Sequence, residues 1–335
     1  MAESLIVGND LLAKFIAKRI LATVIILFVT SIFIFVITNM MPGDAIDLML
    51  GGLSLQSVGQ ETVAQLRAQL GLDLPLYQQY LHWLVALLQG DLGTSYIFNA
   101  PIAPIISERI YNSLLLAVPA IMIMIVVGLV SGVVSAINEG KKIDHSISFL
   151  GILMLSIPEF LIGTVFIYIF AVQLNWIPAA FNTIDTDSMS VWQSMTTYFK
   201  VLIFPSLTIA FGSIAYVSRQ TRASMIEELK SNYVRTALLK GVPYKRVVWV
   251  HALKNGLLPT VTVIAFNIGQ IIAGTVIVEV VFSYPGIGNL IIMALNQRDI
   301  PLILATMMII SLIYVISNLA ADILYSRLNP KISYS

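Results

Sequence analysis

Six apolar windows, at residues 20–40, 113–136, 148–173, 201–218, 256–282 and 302–326, constrain this chain more than any single motif. A helix needs about 20 apolar residues to cross about 30 Å of hydrocarbon. Lipid offers no partner to an exposed backbone amide, so helices are the natural solution for long apolar runs. The rest of the chain agrees: 58% of residues are hydrophobic and 11% charged, where soluble domains carry about 25% charged residues. The expected class is all-α integral membrane with six transmembrane helices. The first window is too long for a signal-peptide core, and no small-residue cleavage site follows it promptly. It is read as retained.

Charge placement predicts the orientation. Lys14, Lys18 and Arg19 precede the first window, Lys141 and Lys142 follow the second, and Arg327 and Lys331 follow the sixth. Between the fourth and fifth lie Arg219, Arg222, Lys230, Arg235, Lys240, Lys245, Arg246 and Lys254. The opposite connections hold only Arg67, Arg109, Lys200 and Arg298. Basic residues concentrate in cytoplasmic connections, so both termini and the basic island are expected in the cytoplasm.

The island has a pattern that topology alone does not require. Ile226, Leu229, Tyr233 and Ala237 recur at steps of three, four and four, which predicts one face of a single helix ending at Lys240. Gly241 suits the left-handed position after a helix end, Pro243 follows closely, and Lys240 complements the helix dipole. A second helical stretch is predicted over 244–254, with Tyr244, Val247 and Val248 as its apolar residues. Small Ala237 and Gly241 would permit close approach. A docking surface for a cytoplasmic partner is favoured over a simple amphipathic surface helix.

The island resembles the cytoplasmic loop of permease subunits of ATP-binding cassette importers, named for a Glu-Ala-Ala triplet with a glycine four residues after its last alanine. Here the triplet reads Arg235-Thr236-Ala237, with Gly241 after it. That departure at the first two positions, with the following "HALKNGLLP", is similar to the peptide/nickel branch. "MPGD" (41–44), "GLDLPLYQQYLHWL" (71–84), "GDLGTS" (90–95), "VEVVFSYPGIG" (278–288), "RDIPL" (298–302) and "DILYSRLNPKI" (322–332) agree in order along nearly the entire chain.

The resemblance implies a type I ABC importer transmembrane domain, one N-terminal helix placed before a five-helix core. It divides the chain into residues 1–40 (cytoplasmic N-terminus and first helix), 41–112 (an extracytoplasmic segment with short helices) and 113–335 (the core, with a coupling loop at 219–255). It implies a second homologous permease subunit, two ABC ATPase subunits and an extracytoplasmic substrate-binding protein as partners, in a bacterial or archaeal cytoplasmic membrane. ATP and Mg would be used by the ATPases, with no cofactor on this chain. The implied cargo is di- or oligopeptides moved by alternating access; nickel and oligosaccharides are alternatives within the family. Carried over by position, Tyr233, Arg235, Thr236, Ala237, Leu238, Gly241 and Pro243 would contact or shape the joint with the ATPase.

The residues themselves exclude other chemistry. A phosphate-cradling loop needs G-x-x-x-x-G-K-[ST]. The Gly140-Lys141 pair is followed by Lys142 and has Ser135 where the first glycine belongs. His82, His145 and His251 fall in separate connections, which suggests neither a metal set nor a nucleophile–base pair. Without cysteine there are no disulfides or thiolate sites. No catalytic, metal or nucleic-acid role is expected. An ion-coupled secondary transporter is the rival class, but no convincing repeat relates the two halves.

Carboxylates in or beside apolar windows remain candidates, because burying one costs at least a few kcal/mol. Glu159 follows Pro158, expected to kink the third helix, and would line the pathway or serve a structural partner. Glu279 precedes the turn around Phe282, Pro285 and Gly286, where a gate or a loop anchor fits. Asp322, near Arg327, reads as an interfacial pairing. Gly128, Gly132, Ala136 and Gly140 form a small-residue stripe for helix packing. Residues 61–73 and 74–88 are expected to form two short amphipathic helices outside the membrane, placed to receive a binding protein.

Overall fold

The computed structural model describes residues 2–41, 64–65, 67–68, 71, 73–178 and 191–328. Helices dominate, as long apolar runs require when the only available backbone partners are internal. In order they are α1 (Ala2–Asn39), α2 (Leu76–Leu88), α3 (Ile102–Ile137), α4 (Lys142–Ser156), α5 (Glu159–Gln173), α6 (Val191–Leu229), α7 (Asn232–Leu239), α8 (Tyr244–Gly256), α9 (Leu258–Val281), α10 (Ile287–Gln297) and α11 (Ile300–Leu328). A two-stranded antiparallel hairpin, β1 (Thr94–Ser95) with β2 (Ala100–Pro101), precedes α3. The helix expected over 61–73 lies mostly outside the described residues, as do parts of the 41–44 and 322–332 motifs.

Four helices are long and apolar enough to cross a bilayer singly: those containing Ala17–Asn39, Ile102–Ile137, Tyr198–Leu229 and Ile300–Ala320. Two bent pairs bring the number to six, namely α4 with α5 and α8 with the first part of α9. All six sequence windows therefore fall on helices. The third is not the kinked helix expected from Pro158. It is broken, with α4 and α5 meeting at 100°. Proline disfavours the α region for the residue before it, and Ile157 is accordingly extended, with φ −98° and ψ 125°. Pro158 then opens α5, where a missing N–H costs nothing.

The chain separates into two compact units. One contains Met1–Ile20, Leu114–Tyr284 and Ile316–Ser335; the other contains Leu21–Ser113 and Pro285–Val315.

In the first unit a core of Leu116, Met124, Ile209, Val217, Ile271 and Val278 joins α3, α6 and α9. The small-residue stripe explains how closely α3 meets α6. A Cβ at Gly128 would lie 2.7 Å from Val217 Cβ, and one at Gly132 would lie 2.5 Å from Thr221 Cβ. Ala136 is buried one turn further on. Gly140 does not continue the stripe: it sits beyond the helix end at φ +74°, with open space around it. Asp322 of α11 pairs with Arg19 of α1 at 2.8 Å, a partner remote in sequence where the local pattern points to nearby Arg327.

In the second unit α2 lies against the C-terminal half of α1. Phe35 meets Tyr80 edge-on at 5.4 Å between centroids, Trp83 packs beside them, and Ser31 Oγ is 2.9 Å from Tyr80 Oη. The "GDLGTS" and "RDIPL" motifs, far apart in sequence, meet at Asp299. Its buried carboxylate accepts from Ser95 Oγ at 2.6 Å, Ile97 N at 3.0 Å and Leu302 N at 3.1 Å. The last of these bonds caps α11. Tyr96 beside it has its phenol pushed above the ordinary value, first by burial and then by the Asp299 charge.

Candidate functional site

The basic island folds as a short helix seated on its own chain by few anchors. Val234 of α7 is 1% exposed. With half-buried Ala237 it packs on Val133 and Ala136 of α3, Met225 of α6, and Val247, Val248 and Ala252 of α8. Gly256 brings α8 against Met225: a Cβ there would lie 2.7 Å from Met225 Sδ. Periodicity picked out Tyr233 and Ala237 but missed Val234, the residue that fixes which way α7 faces. The continuous helix expected over 226–240 is interrupted. α6 ends at Leu229, Lys230 and Ser231 turn, and α7 starts at Asn232. Ser231 donates back to Glu228 O twice, from its Oγ at 2.6 Å and its backbone N at 3.1 Å, at the end of α6 where carbonyls lose their helical partners.

The C-terminus of α7 has the geometry read from Gly241. The Gly241 N–H reaches Leu238 O at 3.0 Å and the Val242 N–H reaches Ala237 O at 3.2 Å, the paired bonds of a Schellman ending. Gly241 has φ +80°, which an L side chain adopts only with strain. Nothing lies within 4 Å of where its Cβ would be, so the glycine serves the turn, not a close approach within this chain.

This seating leaves Tyr233, Arg235, Thr236, Leu238, Leu239 and Lys240 exposed, with Pro243, Tyr244, Lys245 and Arg246 after the turn. Leu239, 82% exposed, was not singled out in the sequence, although the face carrying it is the one left without a partner. Tyr233 is held sideways. Its hydroxyl donates to Glu228 and accepts from Asn255 Nδ2 at 3.3 Å. Burial and the Glu228 bond both raise its ionisation above the ordinary phenol value. Ala237, by contrast, faces the chain's own core. Tyr244 is exposed, while Val247 and Val248 carry the buried face of α8 through a π-helical turn, Val247–Ala252.

A second arrangement braces this surface, and sequence reasoning passed over it. Asp144, 1% exposed in the first turn of α4, receives the Arg222 guanidinium of α6 in a two-pronged pair, Nε at 2.6 Å and Nη2 at 2.8 Å. Ser135 Oγ at 2.6 Å and Gly140 N at 2.8 Å complete its shell. The α3–α4 connection is thereby tied to α6 two turns before that helix ends. Lys230 and Glu139 add an exposed pair at 2.8 Å across the same connection.

The candidate pathway residues lie elsewhere in the first unit. Glu159 begins α5, its Oε1 3.8 Å from where a Cβ on Gly212 of α6 would stand. Glu279 is fully buried near the end of α9. Phe282, at that end, packs over Gly163 of α5, one turn after Glu159. His82, His145 and His251 are exposed in three separate places. Among the described residues no three His, Asp or Glu side chains are grouped to hold a metal.

Comparison with known proteins gives this arrangement its context. Residues 125–334 match the family described as "Binding-protein-dependent transport system inner membrane component". Residues 12–117 match its N-terminal companion, "Binding-prot-dependent transport system membrane comp, N-term". The chain is 34% identical over 320 residues to the "Probable peptide ABC transporter permease protein y4tP" of Sinorhizobium fredii, covering 96% of this chain and 99% of the relative. It is 33% identical over 321 residues to the "Glutathione transport system permease protein GsiC" of Escherichia coli K12, with the same coverage of 96% and 99%. With that coverage and its membrane-length helices, the chain belongs to the binding-protein-dependent inner membrane components, as the non-catalytic permease subunit of an ABC importer of the peptide/nickel group.

Proposed function

We propose that this subunit moves di- or oligopeptides inward across the cytoplasmic membrane of a bacterium or archaeon, by alternating access driven by ATP. It pairs with a second, homologous permease, two ABC ATPase subunits and an extracytoplasmic binding protein. ATP and Mg belong to the ATPases, and this chain needs no cofactor. The excess of Lys and Arg around α7 and at the N-terminus supports cytoplasmic termini and a cytoplasmic α7. The names of the peptide and glutathione relatives support the cargo class.

The observation that carries the reading is α7 itself. It is a short helix seated through Val234 and Ala237, ended by a left-handed Gly241, with apolar and cationic side chains turned out together. An exposed Leu239 beside Arg235 and Lys240 fits a groove of a partner better than it fits water. In this reading Tyr233, Arg235, Thr236, Leu238, Gly241 and Pro243 form or shape the joint with the ATPase. Ala237 holds it from behind. Residues 219–255 are the coupling loop. Glu159, Glu279 and Phe282 line the pathway or its gate.

Gly241→Val tests the joint. It costs about 1–2 kcal/mol of backbone strain in a segment that no transmembrane helix contains. The permease should insert and express normally, while peptide uptake falls and hydrolysis in the assembled complex loses its dependence on loaded binding protein. Wild-type uptake in that variant would make Gly241 a mere loop residue. For the cargo, a strain lacking this gene should fail to grow on a peptide supplying a required amino acid and grow on the free amino acid. Unimpaired growth on the peptide, with no redundant system present, would move the assignment to nickel or a sugar.

A further inference from the structure

The first unit contains a cleft of about 240 Å³ between α4 and α6 whose two ends differ in character. One end carries Ser148, Ser218 and Arg219; the other is lined by Gly151, Ile152 and Leu155 of α4 and by Ala215 of α6. Arg222 also borders the polar end, but its charge is already matched by Asp144. Arg219, one turn before it, is exposed and has no ion-pair partner among the described residues. Ser218 Oγ lies 2.9 Å from Ser131 Oγ, whose single hydrogen is also within reach of Val127 O at 2.6 Å, and the Ser148 hydroxyl has no hydrogen-bond partner among the described residues. The polar end thus offers an unpaired cation, the free Ser148 hydroxyl and the Ser218 hydroxyl beside it.

Depth places that end at a membrane surface. The apolar window of α6 covers 201–218 and closes just before Arg219, and about 20 residues at about 1.5 Å each cross the hydrocarbon. The far boundary then falls near Ser218 and Arg219, while Ala215 and the Ile152–Leu155 wall stay within hydrocarbon depth. Phe149, Leu150, Ile152 and Leu153 of α4 are exposed beside the cleft, so its apolar end opens onto a surface that lipid would wet.

We infer that this cleft is a binding site for an anionic glycerophospholipid, its phosphate held by Arg219 with Ser148 and Ser218 and one acyl chain lying along Gly151, Ile152 and Leu155. A phosphate with its negative charge supplies the partner Arg219 lacks, and basic pockets between spans at an interface recognise such headgroups. A free inorganic anion would use the polar end alone and leave the apolar end to water, which disfavours it.

The test uses the purified importer complex in detergent, stripped of native lipid, with thermal midpoint and native mass spectrometry as readouts. Phosphatidylglycerol should raise the midpoint and be retained as a bound adduct, whereas phosphatidylcholine and inorganic phosphate should do neither. Arg219→Gln should weaken the apparent phosphatidylglycerol affinity about fivefold, the loss of one interfacial cation. Gly151→Leu keeps the cation but fills the apolar end: a Cβ there meets only Ala215 Cβ, at 3.9 Å. It should abolish retention without moving the midpoint in phosphatidylcholine. Three results would overturn the inference. Protection by inorganic phosphate alone would mean an anion site. An equal response to both lipids would mean no headgroup recognition. Unchanged phosphatidylglycerol binding in Arg219→Gln would mean the arginine is not the ligand, and this result stands even if Gly151→Leu fails to assemble.

Discussion

Asp144 and Asp299 are both almost completely buried, and each ties together segments remote in sequence, yet opposite means satisfy them. Asp144 is neutralised by a full cation, Arg222, with Ser135 and Gly140 completing the shell. Asp299 receives only neutral donors, Ser95 Oγ and two backbone amides, one of them at the start of α11, where the helix dipole favours an anion. Among the described residues no Lys or Arg pairs with it. A node built on a cation is strong while complete and brittle when either ion is removed, because the survivor is left buried and charged. A node built on neutral donors spreads the same charge over several weaker bonds, so each loss is partial.

Four substitutions measure that difference, each followed as the thermal midpoint of the purified complex. Arg222→Ala should do the most damage, about 3–5 kcal/mol, because it strands the Asp144 carboxylate. Adding Asp144→Asn to it should recover part of the loss, and a single variant as mild as a surface change would refute the brittle-node view. Next comes Ser95→Ala, which deletes a 2.6 Å bond to an anion that no cation among the described residues neutralises; about 1.5–3 kcal/mol is expected. Ser135→Ala deletes a bond of the same 2.6 Å length at the other node. With Arg222 still in place it should cost less, about 1 kcal/mol. If Ser135→Ala proves worse than Ser95→Ala, the cation does not buffer its node. Smallest of all is Lys230→Ala. Its pair with Glu139 has a normal 2.8 Å separation, but its side chains are 65% and 43% exposed. Solvent-screened pairs of this kind contribute about 0–1 kcal/mol. A large effect there would show that charge, not burial, sets the scale.

These nodes also mark where the sequence stopped being legible. The membrane windows could be read because lipid imposes one rule on every span, about 20 apolar residues with their backbone satisfied internally. The end of α7 could be read because a glycine followed at two residues by proline has few local alternatives. Asp144 and Asp299 could not. Their principal side-chain partners lie 78 and 204 residues away, and nothing in a local pattern announces such a pairing. The break between α6 and α7 was hidden for a different reason: the apolar steps at 226, 229, 233 and 237 stay in phase across the two-residue turn. At Ile157 the signal was present, since a residue before proline resists the α region. The depth of the resulting 100° bend depends on packing that the dipeptide does not encode. Val234, the anchor of α7, was missed because its burial depends on α3 and α8 lying beneath it.

The seam at Gly128 and Gly132 bears on heredity as well as on packing. Every missense change of a glycine codon adds a Cβ, and at these two positions that atom would fall 2.7 and 2.5 Å from side chains of α6. No substitution there is conservative in the usual sense: alanine, the gentlest, already forces α3 away from Val217 or Thr221. Exposed Leu239, far along the chain on the outward side of α7, meets no such wall within this chain and can drift. The seam has no such freedom. A lineage carrying this subunit should therefore vary readily at its outward helix while these two codons accumulate only silent changes, a contrast countable in sequences from natural populations.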